Sequence, residues 1–115
     1  MDRKILEHYV DYYNKQAGQK YPCSNQVVLC GIITDDKDKA LDFMKDKEFV
    51  KKREKYDCVE WTLTNGERWH WRKWNEGCRG YRFYKVAIDE NISDRMFNFF
   101  VRPYCSLYCC SMEII

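Results

Sequence analysis

Histidine is nearly missing from this chain: His8 and His70 are the only two among 115 residues. That leaves little material for histidine-based acid–base or nucleophilic chemistry. A Gly-x-Ser-x-Gly elbow, a His-Glu-x-x-His helix and a Gly-Lys-Ser/Thr phosphate loop are also missing, so no common hydrolase, metalloprotease or P-loop signature is present. An excess of charge of one sign is lacking too. Twenty basic and 18 acidic residues leave a net charge of +2, which argues against the broad cationic field of a DNA-coating protein. Apolar runs stay far below the roughly 20 residues that span a bilayer, and the N-terminus MDRKILEHYV has no apolar signal-peptide centre. These two absences give the expectation of a cytoplasmic protein. Repeats, low-complexity tracts and interdomain linkers are absent as well.

Cysteine is present without an obvious use. The seven cysteines (Cys23, Cys30, Cys58, Cys78, Cys105, Cys109, Cys110) form an odd set. None of their spacings is the Cys-x2-Cys of common zinc knuckles. A site built from Cys105, Cys109 and a distant Cys58 or Cys78 stays open on spacing alone. In a reducing compartment the simpler reading is small, partly buried thiols, with no metal and no cofactor.

Aromatic residues are abundant, at 17% of a chain that is 45% hydrophobic, enough for one core in a single domain spanning 1–115. Residues 3–16 carry Ile5, Leu6, Tyr9, Val10 and Tyr13 at helical spacing, with Gly18 as a stop. The run from Val27 to Ile33 reads as a buried strand. A second helix is expected from the Thr34–Asp38 turn to near Tyr56. Aspartates at its start and Lys51, Lys52, Arg53 and Lys55 at its end suit the helix dipole, and Ala40, Phe43, Met44 and Val50 would face the core. Its mixed charges describe a solvated face.

From Cys58 the pattern turns to strands. Cys58–Thr64 and Glu67–Trp74 flank Asn65-Gly66, a strong hairpin signal. Alternation puts Trp69 and Trp71 on one face and Arg68, His70 and Arg72 on the other. The loop Asn75–Arg79 leads to a third strand, Gly80–Asp89. Ser93 can cap a short helix through Met96, Phe97 and Phe100 that Pro103 ends, and Cys105–Ile115 can add an edge strand or a subunit contact. The expected fold is α+β, with two N-terminal helices packed on a small, mainly antiparallel sheet. Residues 1–57 form a mainly helical half, and 58–115 a mainly strand half that carries the ligand site.

The stretch Gly66–Lys85, GERWHWRKWNEGCRGYRFYK, holds six aromatic and six basic residues opposed only by Glu67 and Glu76. Flat rings beside forked cations suit a stacked base with a phosphate attached. The bland alternative is a strand pair with rings in the core and arginines in water. The candidate ligand residues are Trp69, Trp71, Trp74, Asn75, Arg79, Gly80, Tyr81 and Arg82: indoles to stack, Asn75 to read a base edge, Arg79 and Arg82 for phosphate, Gly80 for close backbone approach. His70 is better read as packing than as a base. Residues 79–90 also resemble the magnesium-binding strand of phage terminase motors, ending in Asp89-Glu90. Without a phosphate loop that likeness carries no ATPase activity.

The set Asn65-Gly66, Trp69-x-Trp71, Arg79-Gly80-Tyr81-Arg82, Lys85-Val86, Ile88-Asp89 and Pro103-Tyr104-Cys105 resembles small phage proteins of the Thoeris anti-defence one family over residues 58–108. The resemblance implies a non-enzymatic α+β sponge that sequesters cyclic ADP-ribose-type signals, and in some cases cyclic oligonucleotides. It also implies dimers or hexamers with ligand between subunits, Trp74 stacking on a base, and Arg79 and Arg82 meeting phosphate or ribose. The residues alone leave two other classes open: a single-stranded nucleic-acid binder, and a protein-only inhibitor of a host defence nuclease that uses the same side chains as anchors.

Overall fold

A computed structural model describes residues 1–17, 28–78, 81–105 and 110–115. Helix α1 spans Arg3–Ala17, strand β1 Leu29–Ile33, helix α2 Lys37–Met44, β2 Phe49–Glu54, β3 Cys58–Leu63, β4 Arg68–Arg72 and β5 Lys85–Ile88. A short helix α3, Asp94–Met96, runs into a π-helical turn at Phe97–Val101, and β6 is Ser111–Ile114. Among the described residues no helix is long and apolar enough to cross a membrane.

The fold is α+β around one six-stranded sheet of order β2-β3-β4-β1-β5-β6. The sheet is mixed. Pairing is antiparallel from β2 to β4, whereas β1 runs parallel to both β4 and β5, and β5 parallel to β6. The expectation of a mainly antiparallel sheet therefore describes only the hairpin half. Its turn forms at Asn65-Gly66, where Gly66 takes a positive φ of 90°. Such a backbone needs no Cβ.

Strand alternation divides the core in two. Ile33, Val86, Ile88, Phe83 and Met112 gather with Leu6, Val10 and Tyr13 of α1 and with the α3 region. Cys30, Ile32, Ala87, Val59, Trp61, Leu63, Trp69 and Trp71 gather with Ala40 and Met44 of α2. Successive strand residues point to opposite faces, so these are the two sides of the sheet. At the β6 edge the Asn14 amide donates to Met112 O (3.0 Å) and accepts from Met112 N (2.7 Å), occupying backbone groups another strand would otherwise pair.

The second helix is shorter than expected. Asp36 caps it by accepting from the amides of Asp38 and Lys39, and it ends at Met44. Residues 49–54, expected to continue it, form β2 instead, and Val50 lies 69% exposed rather than in the core. Lys51, Lys52, Arg53 and Glu54 are all good helix formers, but ladder bonds to β3 outweigh that local preference. The third strand is also shorter than expected: Phe83 makes an isolated bridge to Cys105, and the ladder proper begins at Lys85. Ser93 caps α3 as expected, its hydroxyl accepting from Met96 N. The expected helix stop at Gly18 and the thiols of Cys23 and Cys109 lie outside the described residues.

Candidate functional site

The three tryptophans assigned to stacking are core residues. Trp69 is 2%, Trp71 3% and Trp74 7% exposed. Each indole N–H is already used: Trp69 donates to Glu67 Oε1 (3.2 Å), Trp71 to Thr34 O (3.0 Å) and Trp74 to Ile32 O (2.9 Å). Trp69 and Trp71 sit among Ala40, Met44 and Ile32, so neither offers a ring face to a ligand. That corrects their assignment. The cause is the sheet itself: large rings on the inward positions of a hairpin bury more apolar surface than any other residues there.

Trp74 differs because it stands at the start of a turn that has a cavity on each side. In the turn, Asn75 Oδ1 accepts from Gly77 N (2.8 Å), its Nδ2 donates to Lys73 O (3.0 Å), and Cys78 N returns to Asn75 O (3.0 Å). One donor and one acceptor of the Asn75 amide thus hold the turn, and one of each remains for a ligand. One cavity, of about 490 Å³, is lined by Trp74, Met96 and Phe100, with Glu76 and Arg95 paired at its edge. The other, of about 210 Å³, is lined by Asp57, Arg72, Lys73 and Cys78. Asn75 and Gly77 line both, so a largely apolar hollow and a cationic one adjoin at these two residues.

Tyr81 is half-buried beside this turn. Its ring stacks on Phe83 at 5.4 Å and meets Trp74 edge-on at 5.6 Å, and its hydroxyl accepts from Arg72 Nη1 at 2.7 Å. It therefore fixes Arg72, which also lies over the ring at 5.9 Å. Arg82 is exposed. Arg79 and Gly80, expected to meet phosphate, lie outside the described residues.

The acidic strand end that resembles a magnesium site is fully engaged by protein. Asp89 Oδ1 accepts from Lys39 Nζ (2.7 Å) and Asn91 N (2.8 Å), and Oδ2 accepts from Thr34 Oγ1 (2.5 Å). Burial favours the neutral acid, but these donors outweigh it and hold the carboxyl below its ordinary value. The group ties β1, α2 and β5 together. Among the described residues no cluster of three or more His, Cys, Asp or Glu is arranged to hold a metal ion.

A second cationic surface went unseen in the sequence. On the open side of β2–β3–β4 a shallow cavity of about 160 Å³ is lined by Lys51, Arg53, Glu60, Trp61, Thr62, Arg68 and His70. His70 lies 3.5 Å from Glu60 Oε1. Burial lowers its pKa first, Arg68 and Arg72 add to that, and Glu60 opposes it, so the ring is neutral at pH 7. Assigning 49–54 to a helix hid Lys51 and Arg53. The alternation of Arg68 and His70 with the tryptophans was the visible half of the signal.

Compared with protein-family models, with curated proteins and with solved structures, the chain matches none of them.

Proposed function

We propose that this chain is a binding protein without turnover that captures a small nucleotide-type anion at the 73–78 turn. The carrying observation is the shared lining of Asn75 and Gly77: an apolar hollow beside a cationic one suits a ligand with a ring at one end and phosphate at the other. A base would enter the side of Trp74, Met96 and Phe100, and Arg72 and Lys73 would meet phosphate, with the exposed Arg95 free to exchange Glu76 for it. In this reading α1 and α2 pack on the sheet as scaffold. A cyclic nucleotide immune signal is the ligand class we favour, sequestered in the cytoplasm of an infected cell as in the anti-defence sponges. A second copy in a dimer or hexamer would close over the open cavities.

Calorimetry against cyclic ADP-ribose isomers and cyclic di- and trinucleotides, followed by mass spectrometry of heat-released ligand, tests this. The expected result is micromolar or tighter binding with the ligand recovered intact. Each charge-assisted hydrogen bond to phosphate is worth about 1.5–3 kcal/mol, so Arg72→Ala with Lys73→Ala should weaken binding more than about tenfold. A linearised product would make the protein an enzyme, and no binding to any of these ligands would remove the reading.

A further inference from the structure

The open face of β2–β3–β4 is a separate surface from the 73–78 turn, and its geometry was set by register. Val59, Trp61, Trp69 and Trp71 are buried on one side of these strands, which turns Glu60, Thr62, Arg68 and His70 to the other. Cross-strand pairing then lines up two rows. Lys51 sits opposite Thr62, which sits opposite Arg68; Arg53 sits opposite Glu60, which sits opposite His70. The rows lie two residues apart along each strand, about 6.8 Å. Lys51, Arg53 and Arg68 are exposed, and none of the three makes an ion pair among the described residues. Their charge therefore remains uncompensated apart from the half-exposed Glu60.

We propose that this face binds a single-stranded polynucleotide that runs along the strand direction over β2, β3 and β4, from one row to the next. The spacing of the rows is comparable to that of successive phosphates in an extended strand, so Lys51 and Arg68 can meet one phosphate group and Arg53 the next. A duplex is a poorer fit, since the face offers no protruding helix or ribbon to enter a groove. An acidic peptide is a poorer fit for a different reason. Glu60 stands among the cations and repels phosphate as it repels carboxylate, but a polynucleotide also brings base amino groups and ribose hydroxyls for it to accept from, which acidic side chains lack. The Thr62 hydroxyl and the neutral His70 ring add polar contacts of the same kind. Nothing in this assignment depends on the small-ligand reading of the 73–78 turn.

Fluorescence anisotropy with a labelled mixed-sequence single-stranded 12-mer tests the proposal on the full chain. Binding should weaken with salt, log K falling against log salt with a slope of about −1.4 for two phosphates neutralised. Lys51→Glu with Arg68→Glu should cost at least tenfold in affinity and flatten that slope, while circular dichroism stays unchanged. Cyclic nucleotide affinity at the 73–78 turn should not move in the same variant, which keeps the two sites distinguishable. Three results would overturn the proposal: no salt-dependent oligonucleotide binding, binding untouched by the double reversal, or displacement by polyglutamate as effective as by unlabelled oligonucleotide. Should the double variant misfold, Lys51→Gln with Arg68→Gln gives the same test, with a smaller loss of affinity expected and an unchanged affinity counting against it.

Discussion

Replacing Gly31 by alanine should be among the costliest single-methyl additions this chain can receive. Gly31 lies mid-strand in β1, flanked by His70 and Val86 in parallel ladders on both sides. A Cβ there would meet Phe83 Cε2 at 2.6 Å, Cζ at 2.7 Å and Cδ2 at 2.8 Å. Ordinary carbon contacts lie at about 3.5–4.0 Å, so ring and strand must part by about 1 Å. Neither yields easily. Phe83 is fully buried, stacked by Tyr81 and flanked edge-on by Trp74 and Tyr104, and β1 is held by backbone bonds on both sides. Overpacking of a well-filled core costs about 1–3 kcal/mol, and a central strand under a trapped ring belongs at the top of that range. For a domain of this size a loss of about 3 kcal/mol lowers Tm by roughly 10 °C. Urea titration followed by tryptophan fluorescence measures it, and a cycle with Phe83→Leu isolates the clash. The smaller side chain should relieve Gly31→Ala, giving a coupling of at least about 1 kcal/mol. Gly31→Ala within about 0.5 kcal/mol of the parent, or strict additivity with Phe83→Leu, would refute the packing argument.

Two further outcomes follow from the same reasoning. Asp89 has a carboxyl held below its ordinary value, so its contribution to stability is present above about pH 4 and is lost as pH falls through the lower folded value. Asp89→Asn should therefore cost about 2 kcal/mol at pH 7 and flatten the acid limb below about pH 4 in urea titrations from pH 2 to 7; an unaltered acid limb would count against the assignment. Val50→Thr, on the exposed β2, should stay within about 0.5 kcal/mol of the parent, whereas Met44→Ala in the core should cost about 2–4 kcal/mol by the same titration. Equal losses at the two positions would restore the long helix.

Much of the fold could be read from local chemistry. Asn65-Gly66 announced its hairpin, Ser93 its cap, and the apolar run ending at Ile33 its strand, because each signal acts on neighbouring residues alone. The exchange of helix for strand at 49–54 was not legible, since it rests on pairing with Val59–Leu63, which composition does not encode. Parallel pairing around β1 was hidden for the same reason: β1 meets Arg68–Trp71 and Lys85–Ile88, partners about 40 and 55 residues away in the chain. At the turn, the burial of Trp74 and the two turn bonds of Asn75 were not legible, since they rest on packing and loop geometry rather than on residue type.

The mistaken pairing of indoles with guanidiniums carries a general physical point. On an alternating strand the rings and the cations point to opposite sides, so Trp69 and Trp71 can never serve the same ligand as Arg68 and Arg72. The Arg-Trp-His-Trp-Arg pattern itself forced one set inward, and burial of about 200 Å² per indole decides which. What reaches a ligand is then the cationic set on the strands, with any aromatic contact supplied where alternation has ended. Trp74 and Tyr81 meet that condition, lying beyond β4 and before β5. Under the two proposals, flat rings for a base belong to the turn, and rows of charge for a phosphate chain belong to the sheet. A single continuous site drawing on both would need a ligand that bends around the edge of β4, where Arg72 is held by Tyr81.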